Sequence, residues 1–125
     1  MIAHTSVVVS DYASSKEFYT AALAPLGYTI GMDVPDYRAA GFTQGGKQDF
    51  WIGQGDFASG THVAFAAESK DAVHQFYLEG VKAGGKDNGA PGYRTQYHLG
   101  YYAAFVHDLD GNNIEAVYFD PNPTE

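Results

Sequence analysis

The sequence predicts an α+β fold of two similar units, each a strand, a helix and then three strands, packed about a pseudo-twofold axis. Two observations predict it. One order of strand-like and helix-like segments occurs twice along the 125 residues, and a repeated order marks a repeated unit. The registers agree as well: His4 precedes Phe18 and Tyr19 by 14 and 15 residues, and His62 precedes Phe76 and Tyr77 by the same intervals. Arg38, Ala39 and Ala40 begin 13 residues before Trp51, and Tyr102, Ala103 and Ala104 begin 13 before Glu115. The repeat therefore equates His4 with His62, and Trp51 with Glu115. The length suits one domain, read as residues 1–125 with repeats over about 1–58 and 59–120.

Residues 2–9, IAHTSVVV, form a β-branched run ending at Ser10 and Asp11, so a first strand gives way to a helix. Ser10 or Asp11 caps that helix, and Ser14 with Glu17 offers a competing capping box. Its stripe is Phe18, Tyr19, Ala22, Leu23 and Leu26, and Pro25 and Gly27 end it. A Gly/Asp/Pro connection, GMDVPD, leads to strands at Tyr37–Thr43 and Gln48–Gly53 around a turn at Gly45 and Gly46. The small residues of QGDFASG, 54–60, mark a seam between the units.

The second unit opens with a strand at Thr61–Ala67. Ser69 caps a helix with the stripe Val73, Phe76, Tyr77 and Val81, stopped by Gly84 and Gly85. Lys86–Gly100 is rich in Gly, Pro and Asn and reads as a long irregular loop, a common place for function. A strand follows at Tyr101–His107. Asp108–Val117 is a hairpin turn, with Asp110 and Gly111 at its tip, feeding a last strand. DLDGN imitates a calcium loop, but its glycine stands fourth and its Glu eighth, not sixth and twelfth. FDPNPTE is a polar tail expected to fray.

Composition narrows the chemistry. There is no cysteine, so disulfides, thiolate nucleophiles and cysteine metal sites are excluded. A metal must be held by His, Asp, Glu or backbone oxygen. The net charge of −8, from 15 acids and 7 scattered bases, repels phosphate backbones and anionic lipids, so nucleic acid and membrane are not expected partners. The acidity serves solubility or a preference for cationic ligands. No apolar run reaches about 18 residues, and the N-terminus has no basic leader region, so a cytoplasmic protein is expected.

Glu115 stands between Ile114, Ala116 and Val117 on the last strand. A carboxylate there is costly unless a cation receives it. His4 and His62 open equivalent strands and share faces with Ser6 and Val8, and with Ala64 and Ala66, which leave room for a ligand. A lone histidine on such a strand is ordinarily a core residue. Two related by a repeat, with a carboxylate on the matching last strand, point to a site. Two imidazoles and a carboxylate suit a divalent metal with open positions: Fe, Mn, Ni, Co or Zn. Glu115 is also the candidate proton shuttle. Trp51 is either a core aromatic or a cleft wall that stacks on a substrate. Tyr97 and His98, in the long loop, either face solvent or reach the cleft mouth, and Tyr102 joins them as a candidate substrate contact. His74 reads as surface, and His107 as the end of a strand.

Three blocks, HTSVVVSDYASSKEFYTAALAPLGY, HVAFAAESKDAVHQFYLEGVKAGGKDNGAPG and YYAAFVHDLDGNNIEAV, occur in the order of a known group. In them the chain resembles the vicinal oxygen chelate superfamily, which holds glyoxalase I, bleomycin-resistance proteins, fosfomycin-resistance transferases and extradiol dioxygenases. The resemblance implies paired βαβββ modules whose curved sheets enclose a cleft, with metal ligands from His4, His62 and Glu115. It also implies a homodimer in which one site can draw on two subunits. The glyoxalase I pattern asks for a fourth ligand, Glu or Gln, where the repeat puts Trp51. Indole cannot serve, and Asp49, expected on the same strand face, lies roughly 6 to 7 Å away along the strand. The three-ligand set is similar to that of the dioxygenases or the fosfomycin-resistance transferases.

The expected function is thus a glyoxalase-like, metal-dependent lyase, transferase or dioxygenase acting on a small oxygen-bearing molecule. The alternative is a metal-free binding protein of bleomycin-resistance type. The missing fourth ligand, the ten tyrosines and the acidity would suit a flat cationic aromatic ligand.

Overall fold

A computed structural model describes residues 2–56 and 60–123 of the chain. Its fold class is α+β: two small sheets and two helices. The first strand, β1 (Thr5–Val9), buries Val7 and Val9 and exposes Ser6 and Val8. This alternation sets the polarity of the first sheet. The helix α1 (Tyr12–Leu23) is capped by Asp11, whose carboxylate accepts from the Ser14 backbone N–H at 3.0 Å. Neither Ser10 nor a Ser14–Glu17 box is the cap. The residues Ala24–Leu26 close the helix as a 3-10 turn.

The GMDVPD connection is not a plain loop. It contributes a strand, β2 (Thr29–Val34), then a 3-10 turn at Pro35–Tyr37, and only at Ala39 does β3 (Ala39–Thr43) begin. Strand β2 pairs with β3 through a register shift between Ile30 and Met32. Such an irregular edge strand, with exposed Met32, lacks clean alternation in sequence. The strand β4 (Phe50–Gln54) starts two residues later than the sequence suggests. The four strands lie in the order β1-β4-β3-β2.

The second sheet holds β5 (His62–Ala66), β8 (Tyr101–His107) and β9 (Asn113–Phe119). Between β5 and β8 come α2 (Lys70–Lys82), capped by Ser69, and two short strands, β6 (Lys86–Asp87) and β7 (Gly92–Tyr93). The expected irregular loop therefore carries two ladder segments against β8. The order is β5-β9-β8-β6. The predicted tail also shifts: Phe119 ends β9, and Asp120 accepts a hydrogen bond from the Tyr93 hydroxyl at 2.6 Å. Of the predicted seam and tail, residues 57–59 and 124–125 lie outside the described residues.

Both helices pack on one face of the sheets. Phe18, Tyr19, Leu23, Val73 and Phe76 are fully buried with Phe42, Phe50, Ile52, Val106 and Ile114. Phe65 on β5 meets Phe50 and Tyr28 edge to face at 5.1 and 5.3 Å, joining the two units. Each fully buried ring of this kind stabilises by about 1.5–3 kcal/mol.

The hairpin turn is larger than two residues. His107 pairs with Asn113, leaving 108–112 as a five-residue loop. The Asp108 carboxylate accepts from the backbone N–H groups of Asp110 and Asn112 at 2.9 and 2.8 Å, from Asn112 Nδ2 at 2.8 Å, and from the Tyr19 hydroxyl. Asn112 accepts from the Thr61 N–H, and Asp110 from the Ser10 N–H, at 2.9 and 3.0 Å. The turn is thus a polar knot tying α1, β1 and β5 to the β8–β9 hairpin.

Candidate functional site

His62, Glu115, His4 and Trp51 lie on the sheet faces turned away from the helices. On β9, Ile114 and Ala116 go to the core, while Glu115 projects from the opposite face although only 2% exposed. Glu115 pairs with Phe105 on β8 and Ala64 on β5, so the same face carries His62, Ala64, Ala103, Phe105 and Tyr101. The side chain of Ala64 leaves space beside the carboxylate.

His62 and Glu115 come together. His62 Nε2 is 3.1 Å from Glu115 Oε1. His62 Nδ1 lies 2.9 Å from the Asn113 carbonyl, which requires Nδ1 to carry a proton and leaves Nε2 with its lone pair free when the ring is neutral. The other carboxylate oxygen, Oε2, accepts from the Tyr101 hydroxyl. Burial and then this neighbouring carboxylate push the Tyr101 hydroxyl up to about 12, so it remains a proton-bearing donor across the neutral range. Oε1 and Nε2 are the two atoms left to face a cation. Tyr101 was not among the sequence candidates.

His4 does not join them. It lies just before β1, on the exposed face of the first sheet, and lines a cavity of about 500 Å³ with Ser6, Val8, Lys47, Gln48 and Trp51. Among the described residues, no three His, Asp or Glu side chains converge so as to hold a metal ion. The two faces nonetheless correspond position by position. Trp51 stands opposite Ser6, two residues after His4, and Glu115 stands opposite Ala64, two residues after His62.

Trp51 lines that cavity, packs across Gly41 and donates its indole N–H to the Gln48 carbonyl at 3.2 Å. A Cβ on Gly41 would lie 2.8 Å from two carbons of the indole, so the glycine is what lets the ring lie flat on the sheet. Asp49 does not back it up. It precedes β4, and its carboxylate accepts from the Tyr28 hydroxyl at 3.2 Å, beside a separate cavity lined by Thr5, Val63 and Phe65.

Tyr97 and His98 are exposed and gather at one end of the Glu115 face. The ring of Tyr97 meets Tyr101 at 5.3 Å, and His98 meets Phe119 at 6.3 Å. Tyr102 is a correction. It points to the helix side, where its hydroxyl bonds His74 Nε2 at 2.6 Å and Lys70 lies over its ring. Alternation along β8 makes Tyr101, not Tyr102, the neighbour of Glu115. Among the described residues, no helix is long and apolar enough to cross a membrane.

The glyoxalase/bleomycin resistance protein/dioxygenase superfamily model matches residues 1–116. Among solved structures, a glyoxalase/bleomycin resistance protein from Albidiferax ferrireducens T118 is 28% identical, with 97% of this chain and 98% of that chain covered and a TM-score of 0.78. A glyoxalase/bleomycin resistance protein/dioxygenase family enzyme from Burkholderia phytofirmans PsJN is 19% identical over 94% and 98% of the two chains, with a TM-score of 0.70. A lactoylglutathione lyase from Agrobacterium tumefaciens is 16% identical over 94% and 92%, with a TM-score of 0.68. These last two show likeness of fold alone. No curated protein matches the chain.

Proposed function

Because the chain belongs to the glyoxalase/bleomycin resistance protein/dioxygenase superfamily, we propose that it is a metal-dependent enzyme acting on a small oxygen-bearing molecule. The observation that carries this reading is the buried Glu115 carboxylate, held by Tyr101 on one oxygen and aimed with His62 Nε2 at one point by the other. A buried carboxylate with a histidine of fixed tautomer is a donor set that fits a divalent cation such as Fe, Mn, Ni, Co or Zn. His4 is the third ligand, supplied by a second copy whose first sheet faces the Glu115 sheet of this one. The result is a homodimer with each site shared between subunits.

A bound divalent ion would act as a Lewis acid on substrate oxygens. The chain's own residues supply the rest. Tyr101 orients Glu115 and keeps its second oxygen engaged. Glu115 is also the carboxylate that takes and returns a proton on the substrate. Trp51 and Gly41 form a flat wall against which a planar substrate stacks.

The test is metal content of protein purified without chelator, followed by complementation. His4→Ala and Glu115→Gln each abolish uptake, and an equal mixture, refolded or exchanged, recovers about a quarter of the wild-type sites, because one heterodimer site is intact. A mixture no better than its components rejects the shared site. Full uptake by His4→Ala alone removes His4 from the ligand set.

A second reading, a metal-free small-molecule binder, draws on one observation: Trp51 occupies the position equivalent to Glu115. Ligand binding that persists in Glu115→Gln without any metal would favour it.

A further inference from the structure

Charge on the two candidate faces runs against the charge of the whole. The chain has 15 acids and 7 bases, yet among the described residues Glu115 is the one acid at a strand position on either face. Lys47 lines the His4 and Trp51 cavity. Lys86 pairs with His107, on the Glu115 side of β8. Arg94 lies nearer. Its guanidinium carbon is 5.4 Å from the centre of the Phe105 ring, and Phe105 is the direct strand partner of Glu115. The His62 ring flanks the same phenyl ring at 6.4 Å, 23° from parallel. His62 and Glu115 approach Phe105 from the β5–β9 side, and Arg94 from β7, along the other edge of β8.

The guanidinium is held in place before any ligand arrives. Nη1 donates to the Gly92 carbonyl at 2.9 Å and Nη2 to the Ala90 carbonyl at 2.8 Å. Gly89, at φ +146°, and Gly92 provide the room: a Cβ on them would lie 3.0 and 3.3 Å from the guanidinium nitrogens. The Gly89 carbonyl in turn receives the Phe105 N–H at 2.8 Å, fixing the loop to β8. Two of five N–H donors are used. Among the described residues, no carboxylate lies within 4 Å of Arg94. A cation stacked on a ring, braced by carbonyls and lacking a counter-ion is prepared for an external anion.

We propose that Arg94 is a specificity residue that receives a carboxylate of the substrate whose oxygens meet His62 and Glu115 on the other side of Phe105. This rests on the reading of His62 and Glu115 as the reactive end. It reverses the expectation of a cationic ligand drawn from net charge, because the local field at the face, not the sum over the surface, decides recognition.

Calorimetry on the Ni(II)-loaded dimer with 3,4-dihydroxybenzoate and its uncharged isostere 3,4-dihydroxybenzamide tests the proposal, with metal binding titrated separately. The wild type is expected to prefer the carboxylate by about tenfold or more. Arg94→Gln is expected to lose that preference while keeping amide affinity, metal affinity and melting temperature, and Arg94→Lys to keep part of it. Equal affinities in the wild type, a preference that survives in Arg94→Gln, or no binding of either probe at millimolar concentration overturns the role of Arg94. Failure to retain metal would instead reject the metal reading. The same pair of probes on the metal-free dimer then decides Arg94 by the same criterion. If Arg94→Gln does not fold, the Arg94→Lys comparison and the wild-type preference carry the decision.

Discussion

His62 Nε2 and Glu115 Oε1 stand 3.1 Å apart on adjacent strands, with Tyr101 holding the second Glu115 oxygen. The pair is unequal: the carboxylate is almost wholly buried and the imidazole side chain is 48% exposed. Burying a carboxylate costs free energy that a half-exposed histidine returns only in part. Glu115→Gln keeps the shape and removes the charge. Metal-free Glu115→Gln is therefore expected to match the wild type within about 1 kcal/mol or exceed it. The stabilisation that divalent metal gives the wild type is expected to vanish in it. Thermal melts with and without metal check both halves. A loss above about 3 kcal/mol without metal would mark the pair as a structural ion pair.

Tyr101 gives a pH signature. Its hydroxyl is raised to about 12 by burial first and Glu115 second, and Tyr28 is raised to about 12 by burial and Asp49. A tyrosine raised in the folded state favours folding below its unfolded value near 10, and that contribution is lost as pH climbs from about 10 through 12. Stability is expected to fall across this window. In an ultraviolet titration of the folded protein, Tyr101→Phe should remove one late-titrating phenol. If the late fraction is unchanged, Tyr101 is not held by Glu115.

The repeat was legible because spacing in sequence survives as register in space. Trp51 and Glu115 occupy corresponding ladder positions, opposite Ser6 and Ala64, which follow His4 and His62 by two residues each. The strand β2 was not legible, since Gly31, Asp33 and an irregular pairing erase its alternation. The Tyr101 contact turned on a shift of one residue in strand register. A two-residue tip at Asp110 and Gly111 would pair Glu115 with Val106 and put Tyr102 on its face. The five-residue loop pairs Glu115 with Phe105 and puts Tyr101 there instead. A slip of one inverts every side chain. That His4 stands apart from His62 and Glu115 was beyond any pattern, because convergence depends on how separate sheets face one another.

Trp51 is the only tryptophan, so its fluorescence reports on its face alone. In Gly41→Ala the new methyl would lie 2.8 Å from indole carbons and 2.9 Å from Gln48 Cβ. The indole must tilt away, at a cost of about 1–3 kcal/mol. The expected result is a shifted emission maximum, a lower melting temperature and weaker quenching by planar ligands. Unchanged emission would mean that the ring does not rest on Gly41.

Tyr19 and Asp108 make the longest-range test of the fold. The hydroxyl of Tyr19, from the middle of α1, donates to a carboxylate in the β8–β9 turn, and both groups are buried. Burial first, then the Asp108 charge, pushes the Tyr19 hydroxyl well up, so it is a donor at any ordinary pH. Removing the hydroxyl in Tyr19→Phe takes one of four donors from a buried carboxylate, an expected loss of about 1.5–3 kcal/mol. Asp108→Ala releases Asn112, Asp110 and Tyr19 together and should cost more, about 3–5 kcal/mol. The two sites touch, so their effects should not add. Denaturant melts of both single variants and the double variant give the coupling. The Tyr19–Asp108 contact is buried on the helix side of the sheets, so the metal affinity of Tyr19→Phe below its melting transition should stay at the wild-type value. Additive losses, or lost metal affinity in folded Tyr19→Phe, would show that the knot does not act as one unit separate from the site.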